Sequence, residues 1–354
     1  MKKIFKIIII LIIILLICFF LNKYFNKEDN ITLKVMKENN IDESLYSKTL
    51  EYVLLNGIYD EKYLNEYKDI IFNDNDNFEN IITTFLPKGY TGKEINYIFE
   101  LSDKNINILK EIDYVDIKNY YKYKNFDVSK INRYNNYKDK TNYSYENVIT
   151  YVNINIDIPY YETTNQIDNP DDLLVLVNKY YYLPSNYKPK DLDYIDGAYG
   201  NKVPIRSVLK EDFLSLQQKA KEEINVTFMP TTAFREESFQ KTLYDNYVNN
   251  YGTIQADTFS ARPGYSEHQT GLAIDLKNIS LNSSLRLTDE NYEWLEKNAY
   301  KYGFIIRYPK DKEFITGYQF ENWHIRYVGK DNAKIIYENN LTLEEYIDLY
   351  KKTY

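Results

Sequence analysis

The sequence predicts a protein of the α+β class, and three observations lead to this prediction. An apolar segment opens the chain, a region with apolar residues at helical spacing follows, and the second half alternates between helix and strand patterns. The 354 residues are 44% hydrophobic and 27% charged, which is typical of a globular protein. A chain of this length accommodates one large domain or two modest ones, and we expect two after the apolar segment.

Residues 1–24 are predicted to form a membrane anchor, with the lysines that precede it in the cytoplasm. Ile7 to Leu21 is an unbroken apolar run, and counted from Ile4 it would reach roughly 27 Å as a helix, enough to span a bilayer. A cleaved signal peptide is the alternative, but no small-residue cleavage site follows the run. A lipoprotein attachment at Cys18 would need small residues before it, and those residues are bulky. Because lysines precede the run, we expect a single-pass protein of the cell membrane, with everything after the anchor outside the cytoplasm.

Charge and residue counts exclude several classes of protein. A net charge of -8 without a cluster of Lys and Arg argues against a nucleic-acid partner. Cys18 is the only cysteine, so an intramolecular disulfide and a cysteine-based zinc site are both excluded. Only two histidines are present, His268 and His324, so few positions can carry imidazole chemistry.

Two regions are predicted between the anchor and the second half of the chain. Residues 25–44 are polar and predict a stalk. Residues 45–145 predict a small helical domain, because apolar residues after Asp60 line one helix face and Thr91 to Glu94 have the spacing of a capping box. The stretch from Gly89 to Leu109 has a faint helix-turn-helix pattern, but helical packing is the simpler interpretation in an acidic protein outside the cytoplasm. No residue indicates the role of this domain.

A strand and a linker are predicted over residues 146–172, followed by a catalytic domain over 173–354. Four apolar residues from Val152 to Ile158 alternate with polar ones, which is typical of a half-buried strand, and Pro159 ends it. In the catalytic domain the predicted helices are 207–224, 236–250, 289–302 and a last helix opening at Thr342, and the predicted strands are 226–231, 272–276, 304–308 and 323–328.

The first part of a candidate site lies around the predicted strand 272–276. Apolar residues alternate along this strand, so Asp275 faces the side opposite to them. His268 precedes the strand across a turn at Gly271. That turn can bring the imidazole and the carboxylate together.

The second part of the site lies in the predicted strand 323–328. His324 shares one strand face with Arg326, and Glu321 lies just ahead of it. Two imidazoles and one carboxylate make a three-ligand zinc site with an open fourth position, which is the catalytic arrangement. Zinc lowers the pKa of a bound water to about 7, and Glu321 could take the proton. Spacing alone also permits two histidines and an acid that are unrelated, and neither an HExxH helix nor a G-x-S-x-G motif is present.

These residues belong to longer motifs. The pattern Ser266-x-His268-x-x-Gly271-x-Ala273-x-Asp275, followed by Glu321-x-Trp323-His324, resembles the paired signature of the VanY-type D-alanyl-D-alanine carboxypeptidases in zinc peptidase family M15. The likeness extends to the stretches that begin at Ser260, Trp294, Tyr302, Arg307 and Ile315, and covers roughly 170–350. It implies a zinc peptidase domain in which helices flank a central, mostly antiparallel sheet.

The resemblance implies a metal centre and a catalytic base. One zinc ion per chain would be held by His268, Asp275 and His324, and Glu321 would act as the base.

The resemblance also implies substrate contacts. Arg235 would grip the substrate and stabilise the oxyanion of the tetrahedral intermediate. The family has Ser-Gly-Tyr-Arg-Ser where this chain has Thr232-Ala-Phe-Arg-Glu236, so the substrate preference can differ. Ser266, Gln240 and Trp323 are expected to contact or support the substrate.

The function that the resemblance implies is hydrolysis of the C-terminal D-Ala-D-Ala bond of peptidoglycan stem peptides, with release of D-alanine. An L,D-carboxypeptidase or an endopeptidase acting on the same stems is an alternative, because related sequences share the zinc residues. A non-catalytic cell-wall-binding protein is another, although the presence of all three ligands and Glu321 argues against it.

Overall fold

The computed structural model describes residues 32–74, 76–278 and 287–351. The predicted anchor, residues 1–24, lies outside the described residues and stays a prediction. Among the helices that are described, none is both long and apolar enough to cross a membrane. Contacts between residues divide the chain into two compact units: the first runs to Lys122 and includes Asp127–Ile131, and the second comprises Tyr123–Phe126 and the chain from Asn132 onward.

The first unit contains helices and turns, and its described residues include no strand. Its helices are α1 (32–38), α2 (Lys48–Leu55), α3 (Leu64–Asp69), α4 (Phe78–Lys88), α5 (Gly92–Phe99) and α6 (Asp103–Glu111). The capping box predicted at the start of α5 is confirmed, because Thr91 accepts from the backbone N–H of Glu94 and Glu94 accepts from that of Thr91. Asp60 caps the short 3-10 turn that leads into α3, and not α3 itself.

The part of the predicted stalk that the structure describes is folded. Helix α1 lies within it, and Met36 and Ile41 are 0% and 6% exposed. The Thr32 hydroxyl donates to the Glu51 carboxylate of α2 over 2.8 Å. The polar residues Lys34, Lys37 and Glu38 therefore lie on the outer face of an amphipathic helix.

The prediction of a strand between Val152 and Ile158 is wrong. After α7 (Ile131–Lys140), helix α8 (Tyr145–Asn153) covers the start of this stretch, and turns cover 154–157. The alternation misleads because the amides are buried along with the apolar residues, since Asn153 and Asn155 are 3% and 8% exposed. Polar and apolar side chains therefore do not separate into an outer and an inner face.

The rest of the second unit combines helices with small sheets, as predicted. Its strands are β1 (Asn165–Gln166), β2 (Tyr181–Tyr182), β3 (Leu192–Asp196), β4 (Lys202–Arg206), β5 (Phe228–Thr232), β6 (Ala273–Asn278), β7 (Phe304–Ile306) and β8 (His324–Tyr327). Its further helices are α9 (Lys210–Ile224), α10 (Glu237–Tyr251), α11 (Thr253–Ala256), α12 (Asp289–Asn298), α13 (Glu313–Thr316), α14 (Lys330–Glu338) and α15 (Leu343–Tyr350). The four strands predicted in the catalytic domain are all present, within two residues of the predicted bounds.

A four-stranded antiparallel sheet, in the order β5-β6-β8-β7, positions the candidate site. One face of it shares an apolar core with α9 and α12, in which Ile274, Ile325 and Phe213 are fully buried. On the other face, Asp275 of β6 pairs directly with His324 of β8. Because paired residues on adjacent strands project to the same side, the sheet holds two predicted ligands next to each other.

Candidate active site and metal centre

The three predicted metal ligands converge on one point. His268, Asp275 and His324 each offer a ligand atom, and these atoms all lie within 4.8 Å of one another. His268 reaches the other two from the 3-10 turn Glu267–Thr270, which Gly271 ends at φ 68°. Glycine adopts this left-handed conformation without the steric cost of a Cβ atom, so the turn predicted from the sequence is made as expected.

Each oxygen of the Asp275 carboxylate faces one imidazole. Nε2 of His268 lies 3.3 Å from Oδ2, and Nδ1 of His324 lies 3.2 Å from Oδ1. All three residues are buried, with at most 8% of their surface exposed. Burial alone would raise the pKa of Asp275, but the two imidazoles hold it well below its usual range.

The outer nitrogen of each imidazole has a partner of its own. Nδ1 of His268 lies 2.8 Å from the carbonyl oxygen of Ala233. Nε2 of His324 lies 2.8 Å from Oε1 of Glu267. Because a carbonyl and a carboxylate accept hydrogen bonds, each outer nitrogen carries a proton, and the inner nitrogens are left as the ligand atoms.

The donor set fits a zinc ion. Imidazole and carboxylate are ordinary zinc ligands, and a three-residue set leaves a fourth position for water or substrate. Among the described residues, Oδ1 of Asp275 is a buried oxygen that makes no hydrogen bond. A buried carboxylate oxygen without a hydrogen bond is costly, and a cation held between Asp275 and the two imidazoles would satisfy it.

Glu321 lies beside the three ligands. Its Oε2 is 3.3 Å from Nδ1 of His324, and its side chain is 13% exposed. Burial raises the pKa of Glu321 above its ordinary value. A carboxylate next to a metal position can accept and return a proton, and a raised pKa makes it a stronger base.

Arg235 approaches the site from the end of β5. Its Nη2 lies 3.5 Å from Oδ2 of Asp275, and its Nη1 donates to Oε1 of Gln240 over 2.7 Å. Gln240 in turn donates to the carbonyl of Ala261 over 2.7 Å, so it holds the guanidinium in place. Within the described chain, the buried Nε of Arg235 makes no hydrogen bond, which leaves a donor for an anionic group of a substrate.

One cavity of about 630 Å³ contains the whole set. All eight residues predicted for the site line it: His268, Asp275, His324, Glu321, Arg235, Gln240, Ser266 and Trp323. Much of the remaining wall is formed by aromatic side chains that no motif had singled out, namely Tyr199, Tyr247, Tyr251, Phe259 and Phe320.

Sequence reasoning missed the charged residues behind His324. Glu267 bonds to His324, Arg307 and Arg326, and Arg307 also bonds to Glu344. A signal for Arg326 was available, because strand alternation puts it on the same face as His324, and a buried arginine needs a carboxylate partner. Nothing in the spacing of Arg307 and Glu344 pointed to this contact.

Comparisons with known proteins agree with this geometry. Residues 202–330 match the family model VanY, described as D-alanyl-D-alanine carboxypeptidase. The Bacillus subtilis protein YodJ is 43% identical over 55% of this chain and 74% of its own length. The D-alanyl-D-alanine carboxypeptidase of Enterococcus faecalis is 35% identical over 52% of this chain and 69% of its own length. The solved structure of the LD-carboxypeptidase LdcB is 42% identical, with a TM-score of 0.50, over 56% of this chain and 95% of that one.

The family model overlaps the part of the chain that builds the cavity. The E. faecalis relative is matched over more than two thirds of its length at an identity well above chance. The chain therefore belongs to the VanY family of D-alanyl-D-alanine carboxypeptidases, which are zinc-dependent peptidases.

Proposed function

We propose that this protein removes the C-terminal D-alanine from peptidoglycan stem peptides that end in D-Ala-D-Ala. The observation that carries the proposal is the convergence of His268, Asp275, His324, Glu321 and Arg235 in one cavity. The family to which the chain belongs supports the choice of the D-Ala-D-Ala bond as the one that is cut.

In the proposed reaction, one water molecule is added across the scissile peptide bond. Zinc, when bound, supplies a Lewis acid that polarises the carbonyl and activates water. As the water oxygen bonds to the carbonyl carbon, Glu321 accepts a proton from the water. The carbon–nitrogen bond then breaks, and Glu321 delivers the proton to the amino group of the departing D-alanine. Arg235 donates hydrogen bonds to the oxygen on which negative charge develops.

We further propose that the reaction takes place outside the cytoplasm, on a protein held at the cell membrane by residues 1–24. The apolar run and the lysines that precede it support this location. Peptidoglycan stems are found on that side of the membrane. We propose the domain assignment together with this location. Residues 45–145 form a spacer or wall-facing platform, and residues 173–354 form the catalytic domain.

A second candidate is an L,D-carboxypeptidase, which would act on a stem that has already lost its terminal D-alanine. The likeness to LdcB, at 42% identity and with a TM-score of 0.50, favours it. The neighbours of Arg235 also differ from the motif that the resemblance implies. Both candidates use the same zinc residues, and the length of the preferred stem separates them.

Product analysis tests the proposal directly. The full chain is incubated with pentapeptide and tetrapeptide stems, with and without a zinc chelator, and the released residue is identified by mass spectrometry. We expect D-alanine from the pentapeptide, loss of activity with chelator, and loss of activity in Glu321→Gln. Release from the tetrapeptide alone would support the L,D-carboxypeptidase, and no release from either by the zinc-loaded protein would contradict both.

A further inference from the structure

A carboxylate that is not one of the three ligands lies directly behind the metal centre. Glu267 is adjacent in sequence to His268, yet its side chain contacts the other histidine. Its Oε1 lies 2.8 Å from Nε2 of His324, on the opposite edge of the ring from Asp275. The Glu267 side chain is 1% exposed, so water cannot replace this contact.

Three N–H donors meet on this single carboxylate. Besides Nε2 of His324, Arg307 donates from Nε over 2.8 Å and Arg326 from Nη1 over 3.1 Å, both to Oε2. A guanidinium group can only donate, and two of them face this carboxylate, so Glu267 is an acceptor in all three contacts. His324 must therefore supply a proton at Nε2.

The arrangement continues outward to the last helix. Arg307 donates to both carboxylate oxygens of Glu344 in α15, over 2.7 and 3.0 Å. The two glutamates and two arginines are all buried, and their charges cancel. A buried set of ions seldom adds stability relative to an apolar core, so its position behind a ligand calls for a functional reason.

We propose that Glu267 is a positioning residue of the zinc site. It keeps the proton of His324 on Nε2, so that Nδ1 is presented to the metal, and the chain through Arg307 to Glu344 holds Glu267 in that position. The inference rests on the zinc site of the proposed function and is independent of the substrate.

The geometry explains why a carboxylate is required. A glutamine at this position has one acceptor oxygen and one donor nitrogen, whereas all three neighbouring groups are donors. If the amide oxygen faces the arginines, its NH2 group faces Nε2–H of His324. If it is turned, the NH2 group faces two buried guanidinium groups. The first orientation opposes zinc binding through Nδ1, because it favours a proton on that nitrogen. The second leaves two buried guanidinium groups without an acceptor, so the substitution disturbs the support of His324 in either case.

Zinc affinity of the full chain, measured by competition with a chelating dye and without peptide, tests the proposal. We expect Glu267→Gln to raise the zinc dissociation constant about 10- to 100-fold, the effect usual for an outer partner of a metal-bound histidine. Glu344→Gln should raise it less, by about 3- to 10-fold, because it acts one step further out. The matched control is Glu345→Gln, the next residue of α15, which pairs with Lys312 at 3.1 Å and has no part in this chain of contacts.

A spectroscopic readout separates positioning from general damage. The protein has only two histidines, so ¹⁵N-histidine labelling gives two imidazoles to assign. In the zinc-loaded wild type, we expect one ring bound through Nδ1 with a protected Nε2–H, and one bound through Nε2 with Nδ1–H. Glu344→Gln should shift the Nε2–H resonance of His324 and leave the Nδ1–H resonance of His268 in place.

A zinc dissociation constant of Glu267→Gln within about threefold of the wild-type value would overturn the proposal. If Glu267→Gln does not fold, Glu344→Gln tests the proposal in its place. A zinc affinity and a His324 spectrum of Glu344→Gln equal to those of Glu345→Gln would overturn the proposal. Failure of the wild type to bind zinc would instead contradict the proposed function.

Discussion

The two units of this protein bury different kinds of side chain. In the described residues of the first unit, the buried side chains are aliphatic and aromatic, apart from Thr32 and Thr49. The second unit buries many groups that ionise: Lys179, Glu267, His268, Asp275, Arg307, His324, Arg326, Glu344, Glu345 and Asp348. Both units contain apolar clusters, so the difference lies in what is added to the core and not in the core itself.

The difference indicates what each unit is built to do. Burying an aromatic ring stabilises a fold, whereas burying an ion costs free energy unless partners compensate it. Most of the buried ions of the second unit point toward the metal centre or brace groups that do. Substitutions in the first unit should therefore change stability, and those around the cavity should change chemistry first.

The largest expected effect on catalysis comes from substituting Arg235. Arg235→Met removes a donor to the developing oxyanion, and we expect kcat/KM on the pentapeptide to fall about 10²- to 10³-fold, or about 3–4 kcal/mol. Stability should also fall, by about 1–3 kcal/mol, because Oε1 of the buried Gln240 loses its donor. Steady-state kinetics and thermal unfolding measure the two quantities.

Arg133→Met is the matched control for Arg235. Arg133 also pairs with an aspartate, Asp157, at 2.6 Å, but it does not line the cavity. It should lower stability and leave kcat/KM unchanged. Equal kinetic losses in the two variants would mean that buried charge in this unit serves the fold and not the reaction.

The first unit supplies the opposite case. Phe85 in α4 is fully buried and packs edge-on against Tyr90, with ring centroids 5.1 Å apart. Phe85→Ala leaves a cavity and should lower the local stability by about 3–5 kcal/mol, with unchanged zinc affinity and kcat/KM. Hydrogen exchange of the α4 and α5 amides measures the loss. A large change in zinc affinity would contradict the division between the units.

A smaller effect is expected from the buried ammonium of Lys179. It donates to the carbonyl of Asp257 over 2.7 Å and lies 4.4 and 4.6 Å from the ring centres of Tyr160 and Tyr318. Burial lowers its pKa from 10.5 to about 8, while Asp257 raises it and Arg262 lowers it further. The charged form therefore destabilises the fold, by at most about 3 kcal/mol, with the ring contacts offsetting part of this.

The sign of the pH dependence follows from proton uptake. Between about pH 8 and 10.5 the unfolded chain holds a proton on Lys179 that the folded chain has lost, so the free energy of unfolding rises with pH. Lys179→Met lacks this rise. Urea unfolding from pH 7 to 10 should show the wild type gaining about 1–3 kcal/mol on the variant. Parallel curves would contradict a buried ammonium.

The site could be predicted from the sequence better than the network that supports it. His268, Asp275, Glu321 and His324 lie in contiguous motifs whose residue types restrict the chemistry, and strand alternation indicated which way Asp275 and His324 point. Glu267 has no such signal, because its role depends on which histidine its side chain reaches. That contact is set by the packing of β7 and α15, which spacing along the chain does not encode.

The fold shows the same limit. Strands of the sheet were predictable because apolar residues alternate with the groups of the site. The strand predicted after Val152 failed because buried amides imitate an outer face, since Asn153 bonds to Tyr134 and to the backbone of Asn125. A pattern that counts polarity cannot distinguish a satisfied buried amide from an exposed one.

The smallest expected effect compares one motif in both units. Capping boxes open α5 at Thr91 and α15 at Thr342, but Thr91 is exposed and Thr342 is only 2% exposed. Thr91→Ala should lower the stability of its helix start by about 0.5–1 kcal/mol, because water takes over the freed N–H of Glu94. Thr342→Ala should cost about 1–2 kcal/mol, because the N–H of Glu345 is left buried without an acceptor. Hydrogen exchange at the first turn of each helix measures both losses, with Thr→Ser variants as controls that keep the hydroxyl. Equal losses would mean that burial adds nothing to the cap, and that the two units differ in their charges alone.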